Sequence, residues 1–400
     1  MDTTGDTAGG AHCATLFRCD AGEGREWLLL RVTAADGTTG WGECSDAGRP
    51  ADVLGVLASW TADRPTVAGF TARTVRGALA QALADQAARR AGIPLWQWYG
   101  ATTRPEPVEL FADLGRTPGV RLPADAAAAA TAAVRAGYRT VALAPFEHHG
   151  GPLAEIALKR VRAVREAVGD SVRILVDCGE RLPLRDLSRL LDPLAALGVG
   201  WLKDGVGIGR PADLARLRTR TDIPLAGGQY GYDPAQLYAV AGLLDVVLPD
   251  VRHAGGPHPA LALAAAASGA RGSFHARGSF HARVSFYNPA GPVATLHSAH
   301  LTALHADAAA ALGHAFGGPE WRADLLPGGE QLDGGRLTLP EGPGLGCEPE
   351  LRHRAVEEVW NGVVRTGCDC CAGACRSTCR CRCADRPLPA PFTPCEVAAV

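Results

Sequence analysis

Polar side chains end a series of short apolar runs in the middle of the chain. Asp177, Asp204, Gln229 and Asp250 stand at these ends, separated by steps of 27, 25 and 21 residues. Each step is about the length of one strand and one helix, so we expect the four side chains to face a common space. Carboxylate and amide oxygens grouped in this way can hold a divalent cation or transfer protons.

Two further residue types at these ends could take part in catalysis. Lys203 directly precedes Asp204, and a desolvated lysine with a lowered pKa can act as a base or bind a carboxylate. Tyr287 and Asn288 end a later run, VSFYNP. Tyrosine, with a reference pKa of about 10, is a poor base at neutral pH. We predict Lys203, Asp250 and Tyr287 as candidate catalytic residues, and Asp204 and Asn288 as candidate substrate contacts.

Short apolar runs alternate with amphipathic helical patterns from Val108 onward. The runs include YRTVALAPF, VRILVDC, GVGWLKD, DIPLAGGQ, LLDVVLPD and VSFYNP. Repeated βα units predict parallel strands, and a (β/α) barrel of the TIM type would bring their carboxyl ends together. An open doubly wound sheet is the alternative.

A different pattern precedes the barrel. Residues 26–44 hold two apolar runs around an Asp36-Gly37 turn, which predicts a β-hairpin. A helical stripe from Val75 to Ala91 ends at Gly92, a typical helix terminator. The fold class is therefore α/β, with an N-terminal α+β domain capping the barrel. The predicted units are 1–105 (capping domain), 106–325 (barrel), 326–366 (a segment returning to the capping domain) and 367–400 (a tail).

Composition narrows the class of partner. The chain has 400 residues, 47% of them hydrophobic, and its 40 basic and 42 acidic residues give a net charge of -2. This balance argues against nucleic acid or an anionic membrane as partner. The sequence lacks both a long uncharged apolar run and a signal-peptide pattern at its start, so we expect a cytoplasmic protein without membrane spans. A small molecule is the expected partner.

A hexapeptide repeat interrupts the regular spacing. GSFHAR occurs at 272–277 and again at 278–283, and VSFYNP at 284–289 is a diverged third copy. Without the first two copies, the step to Tyr287 matches the others, so we interpret residues 272–283 as a tandem duplication. In a register slipped by one copy, His281 would take the place of Tyr287.

The tail differs in composition from the rest of the chain. Eight of the 13 cysteines lie between Cys368 and Cys395, among many arginines and prolines. Such a composition cannot add to an apolar core, which predicts a disordered tail. A thiolate metal cluster is the alternative. The other five cysteines are scattered, as in a reduced protein.

Several segments, in order, resemble the mandelate racemase and acid-sugar dehydratase branch of the enolase superfamily, from about residue 26 to residue 360. They are WGEC at 41–44, ALADQAARRAGIPLWQWYG, AVREAVGDSVRILVDC, LPDVRHAGG, YNPAGPVATLHSAHL and LPEGPGLG. The resemblance implies a capped barrel, a homo-oligomer, and a carboxylate or acid-sugar substrate. In this branch a Lys or His base removes the proton α to a carboxylate, and a Mg²⁺ ion held by three carboxylates stabilises the enolate.

The chain departs from this metal site. Asp177 matches the first carboxylate, but Lys203 stands where the family has the second, and Gln229 replaces the third. Only Asp177 and Gln229 remain as weak residual metal ligands, so Mg²⁺ binding is predicted to be weak or lost. We expect Lys203 to form an internal salt bridge with Asp177 instead.

The acid–base positions also differ. Ala142 and Ala144 stand where the family has a Lys-x-Lys pattern, and neither can move a proton. Asp250 matches the aspartate of a His–Asp pair, but Tyr287 stands at the histidine position. A carboxylate usual late in the barrel aligns near Gly313.

Three functional hypotheses remain open from the sequence. The first is a divergent homologue of Mg²⁺-dependent racemases and dehydratases with a degraded metal and acid–base site. The second is an active isomerase or lyase with altered, metal-independent machinery that uses Lys203, Asp250 and Tyr287. The third is a non-catalytic binding or scaffold protein.

Overall fold

The computed structural model describes residues 11–61, 69–120, 122–146, 153–231, 233–240, 242–268, 282–305 and 310–365. The tail at 367–400 and nearly all of the duplicated segment, with His281, lie outside these residues. The predictions made for them are therefore not tested.

The N-terminal part of the chain forms a hairpin-rich unit followed by helices. Its elements are β1 (Ala11–Gly22), β2 (Arg25–Thr33), β3 (Thr39–Glu43), α1 (Pro50–Thr61), α2 (Phe70–Ala91) and α3 (Leu95–Trp98). The predicted hairpin is β2 and β3, which pair antiparallel. Helix α2 ends at Gly92, whose φ of 69° is left-handed, as expected for a glycine that terminates a helix.

Strands and helices then alternate. They are β4 (Val108–Asp113), α4 (Pro123–Arg135), β5 (Thr140–Leu143), α5 (Leu153–Val168), β6 (Arg173–Asp177), α6 (Leu184–Ser188), α7 (Leu191–Ala196), β7 (Val199–Lys203), α8 (Pro211–Arg218), β8 (Leu225–Gly227), α9 (Pro234–Ala239), β9 (Val246–Val247), α10 (Pro257–Ser268), β10 (Arg283–Val284), α11 (Pro292–Thr302) and β11 (Leu312–Ala315). Single 3₁₀ turns follow β4 (Leu114–Arg116) and α11 (Ala303–His305).

The strands from β4 to β11 close into a barrel. Neighbours from β4 to β10 pair parallel in chain order, and β11 pairs parallel with β4. The remaining gap is bridged where the backbone N–H of Ala310 donates to the carbonyl of Val284 at 2.7 Å. The predicted (β/α) barrel is confirmed, and the open doubly wound sheet is wrong.

The end of the described chain returns to the first unit. After α12 (Arg322–Leu325), the hairpin of β12 (Gln331–Asp333) and β13 (Arg336–Thr338) pairs with β4, and β14 (Val356–Arg365) pairs antiparallel with β1. The capping sheet thus has the order β14-β1-β2-β3. We propose the division at 105, 325 and 366 as domain boundaries. Among the described residues, no helix has the length and apolar character to cross a bilayer.

Two glycines let the capping sheet approach α2 closely. A Cβ atom at Gly40 would overlap the carbonyl oxygen of Ala82, and one at Gly42 would overlap that of Ala78. Only a residue without a side chain fits at such contacts. This explains why glycines flank Trp41 in the hairpin.

Glu43 connects the capping sheet to the barrel. Its side chain is buried, and its carboxylate accepts hydrogen bonds from the backbone N–H groups of Gly291 at 2.7 Å and Ala294 at 2.9 Å. These groups begin α11, where free N–H groups and the helix dipole favour an anion. A residue of one unit therefore caps a helix of the other.

His297 makes a second connection on the same helix. Its Nε2 lies 2.8 Å from the carbonyl oxygen of Trp41, and the ring is completely buried. Burial lowers the pKa of His297 to about 4. The imidazole is therefore neutral at pH 7 and donates to Trp41.

Replacing Gly42 with alanine should lower the free energy of unfolding by about 1 to 3 kcal/mol, because the new methyl group must displace the backbone of α2. Urea denaturation would measure the change. The matched control is Gly55→Ala, at an exposed position within α1 with open space around it, which should stabilise the protein by about 0.5 to 1 kcal/mol. Equal effects of the two substitutions would contradict the packing argument.

Acid should destabilise the fold through His297. Its folded-state pKa lies below the unfolded value of 6.5, so its stabilising contribution is present above pH 6.5 and is lost as pH falls towards 4. Between pH 7 and pH 5 the loss is roughly 2 kcal/mol. Denaturation of His297→Gln across this range should show a shallower pH slope than wild type. An unchanged pH slope in the variant would contradict this role of His297.

Candidate functional site

A cavity of about 240 Å³ opens at the carboxyl ends of the barrel strands. Asp177, Asp204 and Gln229 line it, as do Lys203 and Tyr287. The expected common space is therefore confirmed for three of the four polar strand ends. The fourth, Asp250, is absent from the lining.

The ammonium group of Lys203 lies between two carboxylates. Its Nζ is 2.8 Å from Asp177 Oδ2 and 2.9 Å from Asp204 Oδ2, and the lysine side chain is only 5% exposed. The predicted salt bridge with Asp177 is confirmed, and Asp204 is an additional partner. Burial alone would lower the pKa of Lys203, but the charges of Asp204 and Asp177 outweigh it and raise the pKa above its usual value.

Local structure explains this arrangement. In β7, Trp201 and Lys203 lie two residues apart and so point to the same, inner side of the barrel. Asp204 follows with a left-handed φ of 47°, and its backbone N–H donates to the carbonyl of Ala226 at 2.9 Å. This turn brings the Asp204 carboxylate back towards the neighbouring ammonium group.

Tyr287 is bound by a carboxylate that the sequence analysis did not identify. Its hydroxyl donates to Asp113 Oδ2 at 2.6 Å, while Asp113 Oδ1 accepts the N–H of Gly115. Burial raises the pKa of Asp113, and the hydrogen bond from Tyr287 offsets part of this rise. Burial, and then the charge of Asp113, raise the pKa of Tyr287 well above its usual value. Tyr287 is thus a neutral donor at pH 7.

Gly313 in β11 and Ala144 after β5 bring no acid or base to the cavity, and aromatic rings pack beside Gly313. The ring of Tyr287 stacks on Phe111 with centroids 6.1 Å apart, and Lys203 Nζ lies 4.8 Å from the centre of the Tyr287 ring. A Cβ atom at Gly313 would lie 2.9 Å from Phe111 and 3.1 Å from Tyr287. A larger residue at 313 would therefore disturb this stack. Ala144 lines the cavity and offers it only a methyl group.

Asp250 is paired with an arginine, which corrects its predicted place in the cavity. The carboxylate is fully buried and receives Arg252 Nη2 at 2.7 Å and Arg252 Nε at 3.0 Å. Burial alone would raise the pKa of Asp250, but Arg252 outweighs it and holds the pKa below its usual value. Arg252 also donates to Ser45 O at 2.9 Å and to Asp46 Oδ2 at 3.1 Å. Asp250 therefore helps to hold the capping loop, and its catalytic role stays a prediction.

The amide side chains of Gln229 and Asn288 also make hydrogen bonds within the protein. Gln229 Nε2 lies 3.4 Å from Asp250 Oδ2. Asn288 is fully buried, donates to Thr295 Oγ1 at 3.0 Å and accepts the N–H of Ala290 at 3.2 Å. Asn288 is outside the cavity lining, so its substrate contact stays a prediction.

These residues do not fit a divalent cation. Magnesium needs several oxygen ligands in octahedral geometry at about 2.0 to 2.1 Å. Here the carboxylates of Asp177 and Asp204 converge on an ammonium group, and Gln229 is an uncharged amide turned to Asp250. Across the described residues, no group of three or more His, Cys, Asp or Glu side chains is placed to hold a metal ion.

Solved structures share this fold. A mandelate racemase/muconate lactonizing enzyme from Jannaschia sp. CCS1 superposes with a TM-score of 0.71 at 21% identity, covering 84% of this chain and 94% of its own. A member of the enolase superfamily from Salmonella Typhimurium gives a TM-score of 0.71 at 18% identity, covering 89% of this chain and 100% of its own.

Sequence relatives agree. The chain is 26% identical over 347 residues to D-gluconate dehydratase of Thermoproteus tenax, covering 80% of this chain and 67% of that enzyme. It is 25% identical over 355 residues to D-galactonate dehydratase of Verminephrobacter eiseniae, covering 80% of this chain and 88% of that enzyme. The family model described as enolase C-terminal domain-like matches residues 125–353, more than half of the chain. This chain is a member of the enolase superfamily.

Proposed function

We propose that this protein is a divergent member of the acid-sugar dehydratase branch that binds a small carboxylate or acid sugar without Mg²⁺-dependent proton abstraction. The observation that carries the proposal is the ammonium of Lys203 between Asp177 and Asp204. A fixed positive charge at that point repels a second cation. The charge of Lys203 is therefore our reason for expecting weak or no binding of a metal ion at the barrel mouth.

The acid–base residues support the same conclusion. A lysine whose pKa is raised by two carboxylates is protonated at neutral pH, so Lys203 is a poor base. Tyr287 is equally unsuited, because its hydroxyl is neutral and donates to Asp113. The hypothesis of an active isomerase or lyase using Lys203, Asp250 and Tyr287 is disfavoured. Lys203 and Tyr287 are poor proton acceptors, and Asp250 is bound by Arg252 outside the cavity lining.

The cavity lining holds both acidic and basic side chains, and a ligand carboxylate needs one of the basic ones. Most of its cations are engaged, since Lys203 pairs with two carboxylates and Arg116 pairs with Asp46 at 2.9 Å. Arg181, also in the lining, is exposed and makes no ion pair with another residue in the described part of the chain. We propose Arg181 as the contact for the ligand carboxylate. The cytoplasmic location remains an expectation from the sequence, the homo-oligomeric state remains one from the resemblance, and the scaffold role stays an alternative.

Calorimetry with Mg²⁺ and Mn²⁺ should show no specific binding to the purified protein between roughly 10⁻⁶ and 10⁻³ M, the range of many protein sites for divalent cations. The physical reason is the repulsion from Lys203. A single saturable site on the wild-type protein would overturn the proposal.

Incubation with D-gluconate and D-galactonate in D₂O should give no deuterium at the α-carbon above the rate without protein. These acids are chosen because D-gluconate and D-galactonate dehydratases are among the relatives. Proton NMR would follow the exchange. If exchange occurs and disappears in Lys203→Ala, the active-enzyme hypothesis replaces the present one.

A further inference from the structure

Lysine is rare in this protein. The sequence contains two lysines, Lys159 and Lys203, among 40 basic residues. Lys159 lies exposed on α5, where it pairs with Glu155 at 2.7 Å one helical turn away. Lys203 is buried at the barrel mouth. The two lysines therefore form a natural pair for comparison, one in solvent and one enclosed.

The surroundings of the Lys203 ammonium are those of a receptor for a primary ammonium group. Two carboxylate oxygens lie within 2.9 Å of Nζ, and the face of the Tyr287 ring lies 4.8 Å away. An ammonium group has three N–H donors and is attracted to aromatic faces. Two anionic acceptors and one aromatic face thus attract its positive charge.

The walls of this receptor are held by bonds that do not involve Lys203. Asp177 Oδ1 accepts the backbone N–H of Gly179 at 2.9 Å, and Asp113 holds the hydroxyl of Tyr287 at 2.6 Å. The backbone of Asp204 is fixed to Ala226 at 2.9 Å. The arrangement is therefore expected to persist when the lysine side chain is removed, because each wall has an anchor of its own.

We propose that Asp177, Asp204 and Tyr287 form a primary-ammonium binding site in which Lys203 is a tethered occupant. This goes beyond the proposed function, which requires only that Lys203 keeps a metal ion out. In a Lys203→Ala variant, which lacks the lysine ammonium group, the site would accept a small alkylammonium ion. n-Propylammonium has the length of the lysine side chain beyond Cβ, so it is the matching probe.

A divalent cation fits this site less well than an ammonium ion. It would find two carboxylates, an aromatic face that offers no oxygen ligand, and an amide already turned to Asp250. Magnesium and manganese need a larger set of oxygens around them. The proposed selectivity is therefore for the ammonium group.

The test is calorimetry of Lys203→Ala with n-propylammonium. We expect one saturable site in roughly the millimolar range, as for a ligand of four heavy atoms. Wild type should bind at least about tenfold more weakly, because its site is filled. 1-Propanol, which has a similar shape without the charge, should not bind. The matched control, Lys159→Ala, should behave as wild type.

The unfolding temperature gives a second readout, which remains informative if the variant is less stable than wild type. With two carboxylates left without a counter-ion, Lys203→Ala should unfold at a lower temperature, and n-propylammonium should raise that temperature while 1-propanol should not. Adding Asp177→Asn to Lys203→Ala should restore part of the stability and weaken n-propylammonium binding, because one anion is gone.

Two results would overturn the proposal. The first is a Lys203→Ala protein that neither binds n-propylammonium nor gains thermal stability from it. The second is saturable binding of Mn²⁺ to Lys203→Ala in place of n-propylammonium, which would mean that the carboxylates select charge density. Both results are distinct from a failure of the proposed function, which is judged on wild-type protein with Mg²⁺ and acid sugars.

Discussion

The barrel mouth depends on the neutralisation of buried carboxylates. Asp177 and Asp204 approach each other at the strand ends, and two such anions in a cavity are costly unless a cation lies between them. In this chain the cation is a side chain of the protein. It is covalently attached, cannot diffuse away and carries a single charge, so it offsets one of the two negative charges and does not supply the Lewis acidity of a metal ion.

Arginine does the same for the second group of anions. Arg252 binds Asp250 and reaches across to Asp46, and Arg116 binds Asp46 from the other side. Through these bonds Asp250 takes part in the contact between the barrel and the capping loop, and it lies outside the cavity lining.

The sequence was sufficient to predict the barrel, because the alternation of apolar runs and amphipathic helices directly reflects which faces of the strands and helices are buried. It also predicted the Lys203–Asp177 pair, because adjacent strand ends must be neighbours. It did not predict the place of Asp250, since Arg252 stands only two residues away and nothing in the spacing shows that the two side chains meet. Asp113 was missed although VELFAD ends as the other runs do. Its partner Tyr287 is 174 residues distant, and such a pair becomes visible only when the barrel closes.

The cap that Glu43 places on α11 has a consequence for how the two units can separate. Because the first turn of a barrel helix takes its hydrogen-bond acceptor from the capping sheet, moving the sheet away would leave buried backbone donors unmatched at that turn. Helix α11 follows the loop that carries Tyr287. Opening of the capping unit is therefore linked to fraying next to the cavity, and the two events should share one cooperative transition.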